Sequence, residues 1–227
     1  MHLPLQDFKT APATHFVSLG ARCAVAYNLR RFYNFRSAFP FDWWITSTAG
    51  VAKFLRRMDI EYLYAPDQLE LTPDARTVRH RGLNFQLHHE FPRENKKGGR
   101  VLPNWFEAIE QPKKRTAALI NKLLALNSSN NRVVFVREQE KITDHIAGCL
   151  DTLFRQAEYT LVVLPKIPRN FNGKFGWHGD PEQWDKALGA LGLSLDLNNH
   201  QPFDKGSGGI KADYSTLGLG QAGDPEV

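Results

Sequence analysis

Two uninterrupted apolar runs, Val133-Val134-Phe135-Val136 and Thr160-Leu161-Val162-Val163-Leu164, constrain this chain more than any other feature of it. A strand with one face in water alternates apolar and polar residues; a continuous run marks a strand covered on both faces. The stretch between them predicts a helix over about Thr143 to Gln156, and strand, helix, strand at this spacing predicts parallel strands covered by helices. His15 to Leu19, closed by Gly20, reads as a further short strand. Arg22 to Tyr33 follows as a helix, with Val25, Leu29 and Phe32 at the spacing of a buried face and Asn34 at its end. Helices are also expected from near Thr46 and Ser47 through Met58, over Pro112 to Leu126, and over Asp180 to Leu191. Arg76 to Phe91 reads as a short strand or hairpin. The fold class expected is α/β, a mainly parallel sheet flanked by helices. Residues 1–200 form one domain in this reading, and 201–227 form a Gly-rich, loosely ordered tail. That tail contains Gly218 to Gly223, a formal dinucleotide fingerprint, but too few residues follow to build the helix such a motif needs.

Composition narrows the chemistry. With 227 residues, 42% of them hydrophobic, the chain can bury a core without staples. Its two cysteines, Cys23 and Cys149, exclude a disulfide scaffold and a four-cysteine zinc site. No run of 18 apolar residues occurs, so no membrane span is expected, and no secretory signal is recognisable at the start. A reducing cytoplasm is the expected compartment. The net charge of +5 is concentrated: Arg76 to Arg115 carries ten basic residues against four acids, leaving the rest of the chain slightly acidic. Such a segment is either a solvated surface or a surface for anionic partners. No aromatics interleave Lys96 to Arg100 and no nucleic-acid module is recognisable, so an anionic small molecule suits it better than DNA or RNA.

Cys23 is the most informative residue. It falls in the first turn of the helix that follows strand and glycine, where unpaired N–H groups and the helix dipole favour a thiolate. Arg22 beside it acts in the same sense. The alternative is a small buried residue in a helix, the role assigned to Cys149 beside Ile146 and Leu150. His88 and His89 are the partners of the right type; on a strand they would point to opposite faces, so only one would meet the thiol. Asp42, among Phe41, Trp43 and Trp44, is the carboxylate able to orient a histidine, or else a local backbone cap. Two histidines and a carboxylate could bind a metal, but no HExxH or HxH spacing supports it. Neither a Gly-x-Ser-x-Gly elbow nor a phosphate loop is present. No cofactor is expected.

Taken in order, Phe16-Val17-Ser18-Leu19-Gly20, Cys23, Leu29-Arg30, Arg36, Phe39-Pro40-Phe41-Asp42-Trp43, His89-Glu90-Phe91 and Val133-Val134-Phe135-Val136-Arg137 resemble a bacterial family of unknown function catalogued under papain-like cysteine peptidases. The resemblance covers about residues 14 to 165. It implies Cys23 as nucleophile and His89 as base, with Asp42 as a possible third member and His88 as the competing imidazole. It implies a peptide or other acyl substrate and a papain-like α+β fold as the alternative to a parallel sheet. Arg22, Trp43 and Arg137 are the expected substrate contacts. Because ligands of open parallel sheets bind beyond the C-terminal strand ends, Arg137 could instead face a phosphorylated or sugar-nucleotide donor, as in a transferase of surface-polysaccharide assembly. A non-catalytic binding module, with the aromatics around Asp42 and the basic segment as its surface, is the third reading.

Overall fold

The computed structural model describes residues 1–95, 99–138, 144–168 and 176–203. Lys96, Lys97, most of the expected Gly-rich tail and its Gly218–Gly223 fingerprint lie outside the described residues.

The strands fall into two sheets. In the parallel one, β1 (His15–Ser18), β6 (Arg132–Glu138) and β7 (Glu158–Leu164) lie in the order β1-β6-β7. Phe16 pairs with Val134, and Phe135 with Leu161. The continuous apolar run in β6 has the cause its pattern predicts: side chains alternate across the strand, and each face meets a core. Val133 and Phe135 enter one core with Val17, Ile120, Leu123, Ile146 and Leu150. Val134 and Val136 enter the other with Phe16, Val25, Leu29, Trp184 and Leu188. Helices α1 (Cys23–Tyr33) and α6 (Pro181–Gly189) supply the second core. The first is filled from α2 (Thr48–Arg57), α4 (Glu110–Ala125), α5 (Asp144–Leu153) and the second sheet. Phe135, fully buried, gains roughly 2–3 kcal/mol from leaving water.

The second sheet corrects the expectation of a mainly parallel architecture. It is antiparallel, in the order β2-β5-β4-β3, from β2 (Ile45–Thr46), β3 (Leu69–Leu71), β4 (Val78–His80) and β5 (Phe85–Leu87). The hairpin read over 76–91 is β4–β5. β2 and β3 were invisible because strands of two or three residues cannot display a period of two. The four-residue helix α3 (Ile60–Leu63), capped by Asp59, was missed for the same reason of length. The molecule is therefore mixed α/β.

Four residues of the basic segment are paired with acids of the fold. Arg79 and Arg81 pair with Glu70, Lys113 with Glu61, and Arg115 with Glu90. Two of those acids, Glu61 and Glu70, come from outside the segment, so its excess of charge is smaller in space than along the chain. Among the described residues no helix is long and apolar enough to cross a membrane.

Candidate active site

Between β1 and α1 the chain makes a tight turn through Leu19, Gly20, Ala21 and Arg22. Gly20 and Ala21 are both left-handed, with φ of 78° and 73°. Glycine is required at the first position for a second reason: a Cβ there would stand 2.4 Å from Thr46 Oγ1. At Ala21 the conformation costs an L-residue about 1–2 kcal/mol, so something must hold it. Thr46 of β2 and Arg137 of β6 do so. Thr46 Oγ1 accepts from the N–H of Ala21 at 3.0 Å, and the N–H of Thr46 donates to the carbonyl of Ala21 at 3.3 Å. Arg137 donates to the Leu19 carbonyl at 2.6 Å, to Thr46 Oγ1 at 3.0 Å and to the Thr46 carbonyl at 2.9 Å. Ser18 Oγ accepts from the N–H of Gly20. Both sheets thus grip the turn.

Arg137 is buried, and its guanidinium is engaged with the backbone of this turn; the structure does not present it at the strand end for a phosphorylated donor. Burial pushes its pKa down to about 10, which leaves it charged at neutral pH. Arg22 is likewise buried, in a bidentate ion pair with Glu138 at the end of β6, and it donates to the Ile167 carbonyl as well. The N–H of Ile167 donates to the same carboxylate at 2.6 Å. Arg22 therefore fastens the turn to β6 and to the segment after β7, with its charge balanced by Glu138. Only Nη1 of its guanidinium lacks a partner.

Cys23 is the first residue of α1 and is 6% exposed. Arg22, at the N-cap in extended conformation, supplies no side-chain cap to the first turn. Among the described residues no oxygen accepts from the N–H of Ala24, so the helix start retains a donor beside the thiol. Cys149 takes the core role expected of it, its Sγ donating to the Ala52 carbonyl at 3.4 Å.

Cys23 shares a helix face with Tyr27 and Arg30, at i, i+4 and i+7. That face is lined by aromatic rings. Tyr27 stacks on His178 at 5.1 Å and meets Trp177 edge-on at 5.2 Å. Trp177 lies 6.4 Å from Trp43, and Trp43 lies under the guanidinium of Arg30. His89 packs edge-on against Trp43 at 5.6 Å. The helix face that carries Tyr27 and Arg30, one and two turns beyond Cys23, is thus linked through Trp177 and Trp43 to His89. Sequence reasoning missed Tyr27, Trp177 and His178. Tyr27 was detectable one helical turn from Cys23; Trp177 and His178 lie in a region without periodicity.

Two placements differ from expectation. His88 and His89 are not on a strand: β5 ends at Leu87, and both residues occupy the turn after it. Their rings are consequently neighbours, 4.7 Å apart and nearly perpendicular, rather than on opposite faces. Asp42 does not meet a histidine. Its Oδ2 forms an ion pair with Arg30 and accepts from the N–H of Phe39 at 2.9 Å. Burial pushes the Asp42 carboxyl up, against the pull of Arg30 and of the Phe39 N–H. Asp42 therefore folds the Phe39–Asp42 turn back onto α1, the local role weighed against orienting a base.

His89 is held neutral. Burial, then the cationic surroundings of His88, Arg93 and Arg115, push its pKa down to about 3. Its neighbour Glu90 is a hub, accepting from Trp44 Nε1 at 2.8 Å, from Tyr64 Oη at 3.5 Å and from the guanidinium of Arg115.

A family model described as "Putative papain-like cysteine peptidase" matches residues 14–147, a stretch that spans the Cys23 turn, Asp42, the histidine turn and β6. His178 and α6 lie beyond it. No curated protein and no solved structure matches the chain.

Proposed function

The chain belongs to the family described as putative papain-like cysteine peptidases, and from that premise we propose that it is a cysteine-dependent hydrolase or acyl transferase with Cys23 as nucleophile and His89 as base. The observation that carries this reading is the turn before Cys23: a strained strand-to-helix connection, gripped from both sheets, that fixes a thiol at an uncapped helix start. Strain of this kind persists only where the surroundings enforce it, and it gathers at functional sites.

The chemistry follows from the groups present. Cys23 Sγ attacks the carbonyl carbon of a peptide, amide or thioester while its proton passes to the imidazole of His89. The carbonyl oxygen gains the negative charge, which the N–H groups at the start of α1 stabilise together with the helix dipole. Collapse of the tetrahedral intermediate expels the leaving group, which takes the proton from His89 and leaves an acyl-thioester on Cys23. Water or another nucleophile then releases the acyl group by the reverse sequence. With its pKa held near 3, His89 is a neutral acceptor throughout the physiological range, so the resting pair is thiol and imidazole rather than a preformed ion pair.

The test needs no substrate. Iodoacetamide at pH 6, with mass-spectrometric readout, should alkylate Cys23 at least about ten times faster than Cys149, since only Cys23 has an activating environment. Equal rates at the two thiols would overturn the reading. In a screen of peptide and thioester substrates, Cys23→Ser should abolish turnover while the protein stays folded.

A further inference from the structure

Glu90 is the acid that stands beside the base. The sequence offered Asp42 for this task, but Asp42 is committed to Arg30 and to the N–H of Phe39. Glu90 is adjacent to His89 in the chain, and its side chain is only 5% exposed. A carboxylate this buried must find partners, and Glu90 finds three from three different parts of the fold. Trp44 Nε1 reaches it from the loop that also carries Trp43. Tyr64 Oη, itself hydrogen-bonded to Thr116 Oγ1 at 2.8 Å, reaches it from behind α3. Arg115 reaches it from α4.

The turn that carries His89 has little regular structure of its own. β5 ends at Leu87, and among the described residues the N–H groups of 88–91 make one long backbone turn bond, Glu90 N–H to the Leu87 carbonyl at 3.5 Å. Arg93 adds a contact to the His88 carbonyl, and Phe91 anchors the far side against Trp105. Between these, Glu90 is the point at which the turn is fastened to the core. Trp44 and Trp43 are consecutive, so the carboxylate that holds Trp44 Nε1 also couples the histidine turn to the ring against which His89 packs. A side chain anchored on one side of a residue, with the ring of its neighbour packed on the other, leaves that residue little freedom.

We propose that Glu90 is the positioning residue of the site: it acts through His89, by pinning the 88–91 turn to Trp44, Tyr64 and Arg115, and it does not touch substrate. This rests on the reading of His89 as the base for Cys23.

The experiment is a double-mutant cycle on the alkylation rate of Cys23 by iodoacetamide at pH 6. Glu90→Gln removes the charge that holds Arg115 while keeping the size of the side chain. It should slow the reaction at Cys23 roughly five- to tenfold, in line with loss of an orienting partner. Placed on His89→Gln, the same change should have no further effect, because nothing remains to be positioned. Arg115→Gln, at the less buried end of the same contact, should slow the reaction in the same direction and also lose its effect on His89→Gln; it serves where Glu90→Gln does not fold. A merely structural Glu90 would lower the melting temperature and slow Cys23 equally in both backgrounds, which would overturn the proposal. So would a Glu90→Gln protein that reacts at the wild-type rate. If His89→Gln alone leaves Cys23 as reactive as before, the base has been misassigned and the proposal for Glu90 goes with it. Slowing by His89→Gln without slowing by Glu90→Gln or Arg115→Gln would overturn the positioning role alone.

Discussion

The turn before Cys23 and the turn that carries His89 are held by different means. The nucleophile turn, residues 18–23, is fixed by buried polar contacts: Arg137 and Thr46 on its backbone, and Arg22 on Glu138. Its backbone is strained, and the contacts that hold the strain come from both sheets. The histidine turn, residues 88–91, is fixed chiefly by the Glu90 side chain, with Arg93 on the His88 carbonyl, and by rings packed around it. The first arrangement makes a thiol rigid at a helix start. The second buries an imidazole and keeps it uncharged. The Cys23 thiol is thus placed by hydrogen bonds, those of Arg137 among them, whose donor does not titrate near neutrality, and the His89 imidazole by burial, which acid can undo.

The largest effect expected on this contrast comes from Arg137. Arg137→Ala would strip the Thr46 carbonyl of its charged donor, leave the Leu19 carbonyl only the 3.5 Å contact from Thr46 Oγ1, and release the strained turn. Each buried acceptor left unpaired costs about 1–3 kcal/mol, so a loss of roughly 3–5 kcal/mol is expected in urea unfolding. Arg137→Lys, able to keep one or two of the contacts, should lose about half as much. If Arg137→Ala lost under about 1 kcal/mol, the turn would be held by its packing, and the two turns would not differ in kind.

Acid should separate the turns next. His89, with an ordinary value of 6.5 and a folded value near 3, resists the proton in the folded protein. Below pH 6.5 the unfolded chain takes up that proton and the folded one does not. The stability linked to this group is therefore complete above pH 6.5 and drains away as the pH falls toward 3. At pH 4 the loss amounts to roughly 3 kcal/mol. His15, pushed down to about 4 by burial and by His200 and Lys122, adds loss of the same sign. His89→Gln should narrow the difference in unfolding free energy between pH 7 and pH 4 by most of its share, whereas Arg137→Ala should leave that difference unchanged. A pH dependence untouched by His89→Gln would mean that the imidazole is not kept neutral by burial.

How far the sequence announced these turns depends on the kind of contact. The Cys23 turn was legible: an apolar strand, Gly20, then Cys23 at the head of a periodic helix is a local pattern, and α1 ends at Asn34 as expected, in a left-handed conformation. The parallel strands were legible because β6 is covered on both faces and shows it as an unbroken apolar run. What holds the nucleophile turn was not legible. Thr46, Arg137 and Glu138 are far from it along the chain, and nothing local to Arg137 distinguishes a backbone clamp from a ligand contact. The histidine turn was misread as strand because β5 is three residues long and its alternation was extended two residues too far. Asp42 was paired with a histidine on chemical type, but Arg30, seven residues beyond Cys23, offers a full charge at closer range. Trp177 and His178 lie in a segment without hydrophobic period, and only the folded chain brings them onto the face of Tyr27.

The smallest expected effect bears on why the nucleophile turn is strained at all. Ala21 holds φ at 73°, where glycine would be at ease. Ala21→Gly should relieve about 1–2 kcal/mol of backbone strain. Against this, glycine adds entropy to the unfolded chain worth about 0.5–1 kcal/mol, so the net gain should be near 0.5 kcal/mol. Stability alone would then favour glycine at this position. A turn with a second glycine has more conformations open to it, however, and the clamp by Thr46 and Arg137 must restrain them. The alkylation rate of Cys23 should fall, by less than about threefold, while unfolding by urea shows no loss; a site tuned for activity commonly gives up stability in this way. Ala21→Val, with a branched side chain in the same conformation, should instead lose more than about 1 kcal/mol. If Ala21→Gly were both more stable and equally reactive at Cys23, the strain would have no part in placing the thiol, and the three Arg137 contacts to Leu19 and Thr46 would carry that task alone.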